Sequence, residues 1–396
     1  MLPPEKAWAR LEPYLNPLPV ELAPRREAAG RVLASALAAT VDVPGCDVSA
    51  VDGYAVAGEV VARESLPVVA VIAAGDPPGR LLEPGTAVKI MTGAPVPANA
   101  IEVLPVEVSD GGRERVSFPG RGEAADHVRR QGEILRAGDP LLAAGSPLTP
   151  GALALLATHG IAQVPVPRRP RVAVLATGDE VVPPENVPAP GQLRDSHTDF
   201  LLAAGAGLGL EFHPLGIAPD RREVLLALAR RGLEHDVFLL CGGVSMGEFD
   251  LVEGVLAELG CELLFDSVAI QPGKPLVAAV HSGGLVFGLP GNPASVMVSF
   301  WLFVRPALER LQGMPGGFWQ GARRAELAAP LPGAGPRDRF LPAVVEVREG
   351  QLRATPFPPR GSHDLAAYAH GSALLRVPAS TPPKAAGEAC EVLEIG

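Results

Sequence analysis

Three times between Arg171 and Arg310 an apolar run enters a tight loop and leaves it as a helix. Arg171 to Ala176 runs into Thr177-Gly178-Asp179-Glu180, and Leu285 to Gly288 runs into Leu289-Pro290-Gly291-Asn292-Pro293. Between them, Asp236 to Leu240 runs into Cys241-Gly242-Gly243-Val244-Ser245-Met246-Gly247-Glu248-Phe249-Asp250. Strands and helices alternating at this spacing imply parallel βαβ units. In such a sheet the loops gather at the carboxyl edge, where ligands bind. Glycines let the backbone approach a ligand, and helix N-termini favour negative charge. Three such loops, two with carboxylates, predict a site for phosphate and a metal.

A chain of 396 residues is too long for one ordinary core, so two to four domains are expected. Residues 5–15 and 21–40 carry helical spacing, with Leu22, Ala29, Val32, Leu33 and Leu37 on one face of the second. From Val43 to about Arg136 short β-rich runs are punctuated by Gly and Pro. Helical character returns at 148–161, capped by Thr149 with Pro150 in the first turn. The expected domains are therefore 1–45 with 136–170 (helical/β, discontinuous), 46–135 (inserted, β-rich), 171–316 (doubly wound) and 317–396 (C-terminal β-barrel or sandwich). The fold class is multidomain α/β plus β.

The formal charge of -10 argues against a nucleic-acid partner. Cys46, Cys241, Cys261 and Cys390 form no CxxC pair, which fits a reducing cytosol better than a zinc site or a disulfide framework. The N-terminus has no signal-peptide core, and no stretch approaches the ~20 apolar residues of a membrane span. The expected location is cytoplasmic.

Several residues invite both a plain and a functional reading. Asp250 suits a helix start or a Mg²⁺ ligand, with a phosphate on the amides near Ser245. Asn292 suits an N-cap and Pro293 a first helical turn, while Ser295 would expose a hydroxyl there. Lys274, one of only four lysines, sits between prolines as a natural oxyanion partner. Glu180 lies beside Asp179, and Asp195 or Ser196 could cap the helix that follows. Asp52-Gly53 and Thr92-Gly93, taken alone, are turn signals.

The ordered set VDGYAV, MTGAPVP, RRQGE, TGDE, GQLRDS, GGVSMGEFD, QPGKP, LPGNP and GSH resembles the MoeA family, the molybdopterin molybdenumtransferases related to gephyrin. The resemblance runs from about residue 5 to the C-terminus. It implies a MogA-like doubly wound domain, an elongated homodimer and an active site between subunits. The implied substrates are adenylylated molybdopterin, supplied by a molybdopterin adenylyltransferase, and molybdate. The implied reaction is Mg²⁺-assisted release of AMP, with the product passed to molybdoenzymes or carriers. Motif by motif, Glu180 and Asp250 resemble metal ligands, and Gly242, Gly243 and Ser245 a cradle for the pterin phosphate. Pro290, Gly291 and Pro293 resemble the loop-shaping set, and Asn292, with Asp195 and Ser196 of a further motif, the cofactor-binding residues. Lys274, Ser295 and Ser362 resemble the molybdate-binding set. Asp52 and Thr92 would join Glu180, Asp250 and Lys274 in the catalytic set from the other subunit.

The chain departs from the family pattern at several positions. Gln271 stands where many members place a second basic residue, and Ile134 where an acid is usual. Pro342 takes the place of an arginine, with Arg337 and Arg339 close by. His197 and Val48 replace common asparagines. Two other readings fit parts of this pattern: a molybdopterin adenylyltransferase, which would share the doubly wound domain alone, and a gephyrin-like scaffold.

Overall fold

The computed structural model describes every residue except 59, 61–63, 120–126, 244–251 and 396. The chain divides into two compact units, Met1–Leu22 with Pro165–Gly396, and Ala23–Val164.

The larger unit is built on a six-stranded sheet. Its spatial order is Phe212–Ala218, Val172–Thr177, Val237–Cys241, Gly284–Leu289, Val277–His281, Glu262–Phe265. The first four strands are parallel, as the strand–helix alternation predicts. Alternate residues of one strand feed two cores. Val172, Val174, Val237 and Leu239 pack with Leu201 and the helical stretch after Asn292, while Ala173, Leu175, Phe238 and Leu240 pack with Leu225, Ala229 and Val255. That period of two on a doubly covered sheet is why these strands read as unbroken apolar runs.

Past Gly284–Leu289 the sheet is not parallel. Val277–His281 runs antiparallel to it, a strand the sequence reading missed. Only Ser282 and Gly283 connect the two, with φ of 47° and 87°. A two-residue link with both φ positive closes a hairpin and leaves no room for a crossover helix.

From Pro293 to Leu311 the chain is helical throughout but not uniform. Pro293–Ser299 and Arg305–Leu311 are α-helical, and Phe300–Val304 is a π-helix. Pro306 explains the change. It lacks an N–H and its ring crowds the carbonyl four residues back, which a widened turn relieves.

At the C-terminus five strands close into a barrel. Asp338–Arg348 pairs with Gln351–Pro356 on one side and Ala373–Val377 on the other, and Arg323–Leu327 and Ala389–Glu394 complete the ring. Leu327, Leu341, Ala343, Ala354, Leu375 and Val392 fill it. The two-residue strand Ile270–Gln271 lies parallel to the start of Asp338–Arg348. The N-terminal helix Pro4–Leu11 buries Ala7, Trp8 and Leu11 against the sheet's first core.

The smaller unit carries a five-stranded sheet in the order Glu102–Pro105, Gly53–Val56, Ala87–Ile90, Ser65–Ile72, Arg115–Ser117. Its helix Pro150–Thr158 starts as expected, with the Thr149 hydroxyl accepting from the Ala152 N–H at 3.2 Å. The helix expected over 21–40 does not form: short strands and a 3₁₀ turn replace it. Pro24 and Gly30 break the segment; of the predicted face only Val32 and Leu33 are buried, and Ala23, Ala28, Arg31 and Ala39 are buried beside them.

Candidate active site

The three loops meet at the carboxyl edge of the parallel strands, and glycine makes the meeting possible. Gly242 follows its strand with φ +96°, and a Cβ there would lie 2.8 Å from the Thr177 carbonyl oxygen and 2.9 Å from its hydroxyl. Its N–H donates to the Leu289 carbonyl at 3.0 Å, tying the second loop to the third. Gly178, with φ +136°, leaves room for the Glu180 carboxylate, whose Oε2 would lie 2.6 Å from an added Cβ.

Two adjoining cavities open over this edge. The first, about 480 Å³, is lined by Glu180, Asp195, Ser196, Gly242, Gly243 and Pro293 among others. The second, about 560 Å³, is lined by Lys274, Pro290, Ser295 and Ser362 together with Gln271, Arg337 and Arg339. Glu180, Leu193, Gly291 and Asn292 border both. The fold thus brings twelve of the expected site residues to one edge, while Ser245 and Asp250 lie outside the described residues.

Roles differ within that lining. Asp195 is spoken for. Its Oδ1 accepts from the N–H groups of His197 at 2.9 Å and Thr198 at 3.1 Å, and its Oδ2 from the Thr198 hydroxyl at 2.6 Å. It holds the start of the helix His197–Gly207, the plainer of its two expected roles. Asn292 is the converse: it occupies the N-cap position of its helix yet makes no capping side-chain bond. Its amide faces both cavities.

Asp220 lines the first cavity and was not anticipated from the sequence. It follows the Phe212–Ala218 strand, so it belongs to the same sheet edge, and that position was its only signal. Its N–H donates to Asp179 Oδ1 at 3.1 Å, and the Asp179 N–H donates back to Asp220 Oδ2 at 3.4 Å. Burial first, and then the charges of Asp179 and Glu180, hold its carboxyl above the usual range despite the Asp179 N–H. Burial depresses the imidazole pKa of His197, which outweighs the opposing pull of Asp195. Cys241 is fully buried, and burial pushes its thiol far above the ordinary range, so it is no nucleophile.

The second cavity is cationic. Lys274, Arg337 and Arg339 line it, and none of their side chains has a hydrogen-bond or ion-pair partner among the described residues. Pro342, where an arginine was expected, is buried in the barrel and lies outside the cavity lining.

In the smaller unit, the Asp52 and Thr92 segments come together. Asp52 Oδ1 accepts from both the N–H and the hydroxyl of Thr92. Nearby motif residues form a second knot, in which Asp42 accepts from Gln131 Nε2 at 2.8 Å and from the Ala137 N–H at 2.9 Å. Ile134 stands 63% exposed where an acid was expected.

Among the described residues no helix is long and apolar enough to cross a membrane. Residues 2–160 match the MoeA N-terminal region (domain I and II), 173–310 the probable molybdopterin binding domain, and 324–395 the MoeA C-terminal region (domain IV). Molybdopterin molybdenumtransferase 2 of Mycobacterium tuberculosis is 35% identical over 386 residues, 94% of each chain. The molybdopterin molybdenumtransferase of Synechococcus elongatus is 42% identical over 306 residues, covering 74% of this chain and 75% of its own. Among solved structures, a molybdopterin biosynthesis MoeA protein from Pyrococcus horikoshii superposes with a TM-score of 0.84 at 32% identity, covering 100% of this chain and 99% of that one.

Proposed function

Because the chain belongs to the MoeA family and is a molybdopterin molybdenumtransferase of molybdenum cofactor biosynthesis, we propose that its two cavities hold adenylylated molybdopterin and molybdate side by side. The observation that carries this reading is the shared wall. An amide-rich cavity and a cationic one meet at Glu180, Gly291 and Asn292, so a phosphate-bearing ligand in the first lies within reach of an oxyanion in the second.

Each group has a task suited to its chemistry. The backbone of Gly242 and Gly243, with Ser245, receives the pterin phosphate. Lys274, Ser295 and Ser362 bind molybdate, a tetrahedral dianion that suits one ammonium and hydroxyl donors. Pro290, Gly291 and Pro293 keep the intervening loop rigid. Glu180 and Asp250 would hold Mg²⁺, which when bound neutralises phosphate oxygens. Mg²⁺ on phosphate needs only one or two carboxylates, a number that Glu180 and Asp250 would supply. Burial first, and then the Asp179 and Glu180 charges, hold the Asp220 carboxyl up, and a cation there would offset the charge part. Cleaving an adenylate needs positioning and charge neutralisation more than covalent help, so these groups suffice.

In this reading the protein works as a cytoplasmic homodimer, and Asp52 and Thr92 of one copy complete the site of the other. A molybdopterin adenylyltransferase delivers the substrate, and molybdoenzymes or carriers take the product. Incubating the protein with adenylylated molybdopterin and Mg²⁺, with and without molybdate, tests it. AMP release that requires molybdate is expected; release indifferent to molybdate, or none, sinks the reading.

A further inference from the structure

We infer that the guanidinium groups of Arg337 and Arg339 are the anion-reading pair of the second cavity, taking over from basic side chains absent at Gln271 and Pro342. The inference rests on the proposed reading of that cavity as the oxyanion site. The cavity's lining includes Lys274, Arg337 and Arg339 but a single acid, Glu180, which leaves an excess of two positive charges. Neither arginine is neutralised by a hydrogen bond or ion pair among the described residues. Unpaired cations converging on one cavity repel one another, and a tetrahedral dianion is the ligand that removes the excess.

The strand explains why the two act together. Arg339 lies on the strand Asp338–Arg348 and Arg337 immediately precedes it; both line the cavity, and Asp338 between them does not. Asp338 is only 6% exposed and is locked on its own side. It accepts from Arg376 Nε at 2.7 Å and from the Ala379 N–H at 2.9 Å, and its own N–H donates to the Ala269 carbonyl at 2.9 Å. Arg376 in turn bonds Glu5 and lies 5.1 Å from the Phe318 ring centroid. Pinning Asp338 fixes the strand start from which Arg339 reaches the cavity, with Arg337 entering the lining just before it.

Position matters as much as charge. Gln271 pairs in register with Arg339, so the arginine stands beside the very residue where a base is missing. Pro342 pairs with Leu374 in the barrel wall, and its Cβ lies 3.0 Å from where a Cβ of Gly371 would sit. The arginines of the cavity thus stand at and just before the start of this strand, and residue 342 within it carries no charge.

Isothermal titration of the full-length protein with molybdate, and separately with sulfate and inorganic phosphate, tests the assignment. The variants are Arg337→Gln, Arg339→Gln and Arg339→Gln combined with Gln271→Lys, each checked for native circular dichroism. Each single variant should weaken molybdate about tenfold, the worth of one charge-assisted hydrogen bond. Gln271→Lys should restore most of the loss in the Arg339→Gln background. Folded single variants that both bind within about twofold of wild type overturn the arginine assignment while leaving the oxyanion reading intact. A wild-type protein that binds none of the three anions also overturns it. Arginine-dependent binding of sulfate or phosphate without molybdate upholds the assignment and sinks the molybdate reading instead.

Discussion

Asp52 Oδ1 accepts two hydrogen bonds from Thr92, one from its N–H at 2.7 Å and one from its hydroxyl at 2.8 Å. Two motifs forty residues apart are thereby one acidic unit. The Thr92 N–H, then its hydroxyl, hold the Asp52 carboxyl below the usual range, against a small opposing effect of burial. Thr92→Val keeps the shape and deletes the hydroxyl, so the Asp52 pKa should climb toward ~3.9, read by NMR titration of the carboxyl carbon. An unchanged value would show that the hydroxyl bond contributes nothing. If Asp52 touches the reacting groups, Asp52→Asn should lower AMP release by about two orders of magnitude.

Gly242→Ala should cost about 2–3 kcal/mol and, on the proposed reading, disable the site for the pterin phosphate. Two penalties coincide. The residue sits at φ +96°, and the new methyl would press on the Thr177 carbonyl at 2.8 Å, a backbone atom that cannot swing aside. Thermal melting reports the first effect and AMP release the second. A variant that melts and works like wild type would show that the loop relaxes freely.

The strands of the doubly wound sheet were legible because both faces are buried, which leaves unbroken apolar runs at 172–177 and 237–241. The loops were legible because close backbone approach at Gly178 and Gly242 demands glycine in the sequence itself. Segment 21–40 was misread because its apolar residues happen to repeat at helical spacing while Pro24 and Gly30 deny the helix. Asp220 was invisible for a different reason: only the sheet brings it to Asp179, forty-one residues away. Arg337 and Arg339 were noted in the sequence only as neighbours of Pro342, since it is the cavity that gathers them with Lys274.

Asp220→Asn should make the protein slightly more stable and less active. A carboxyl whose pKa is raised by folding contributes stability below its unfolded value near ~3.9 and loses it as pH rises through the folded value. At neutral pH the ionised Asp220 is therefore a liability, imposed by burial and by its neighbours Asp179 and Glu180. Asparagine removes the repulsion, so the melting temperature at pH 7 should rise while AMP release falls. The gain should vanish near pH 3, where the wild-type group is protonated. A melting temperature that drops at pH 7 would show that Asp220 is held for structure rather than for a ligand.

Asp236 carries the opposite sign. Arg168 clamps it bidentately at 2.6 Å through each guanidinium nitrogen, and the Arg171 N–H adds a bond at 2.8 Å. Burial pushes its carboxyl up, but the Arg168 bonds, the Arg171 N–H and both guanidinium charges outweigh it and leave the pKa below the usual range. Its contribution is therefore fully present above the unfolded value near ~3.9 and is lost as pH falls through the lower folded one. Asp236→Asn strands Arg168, whose side chain retains 31% exposure against 14% for Asp236. Water can reach that guanidinium, so the loss should be about 2 kcal/mol at pH 7, below that of a fully buried pair. Thermal melts of wild type and variant should differ clearly at pH 7 and converge as the pH falls through the lowered folded-state value. A gap that stays constant across that range would assign the cost to packing instead of charge.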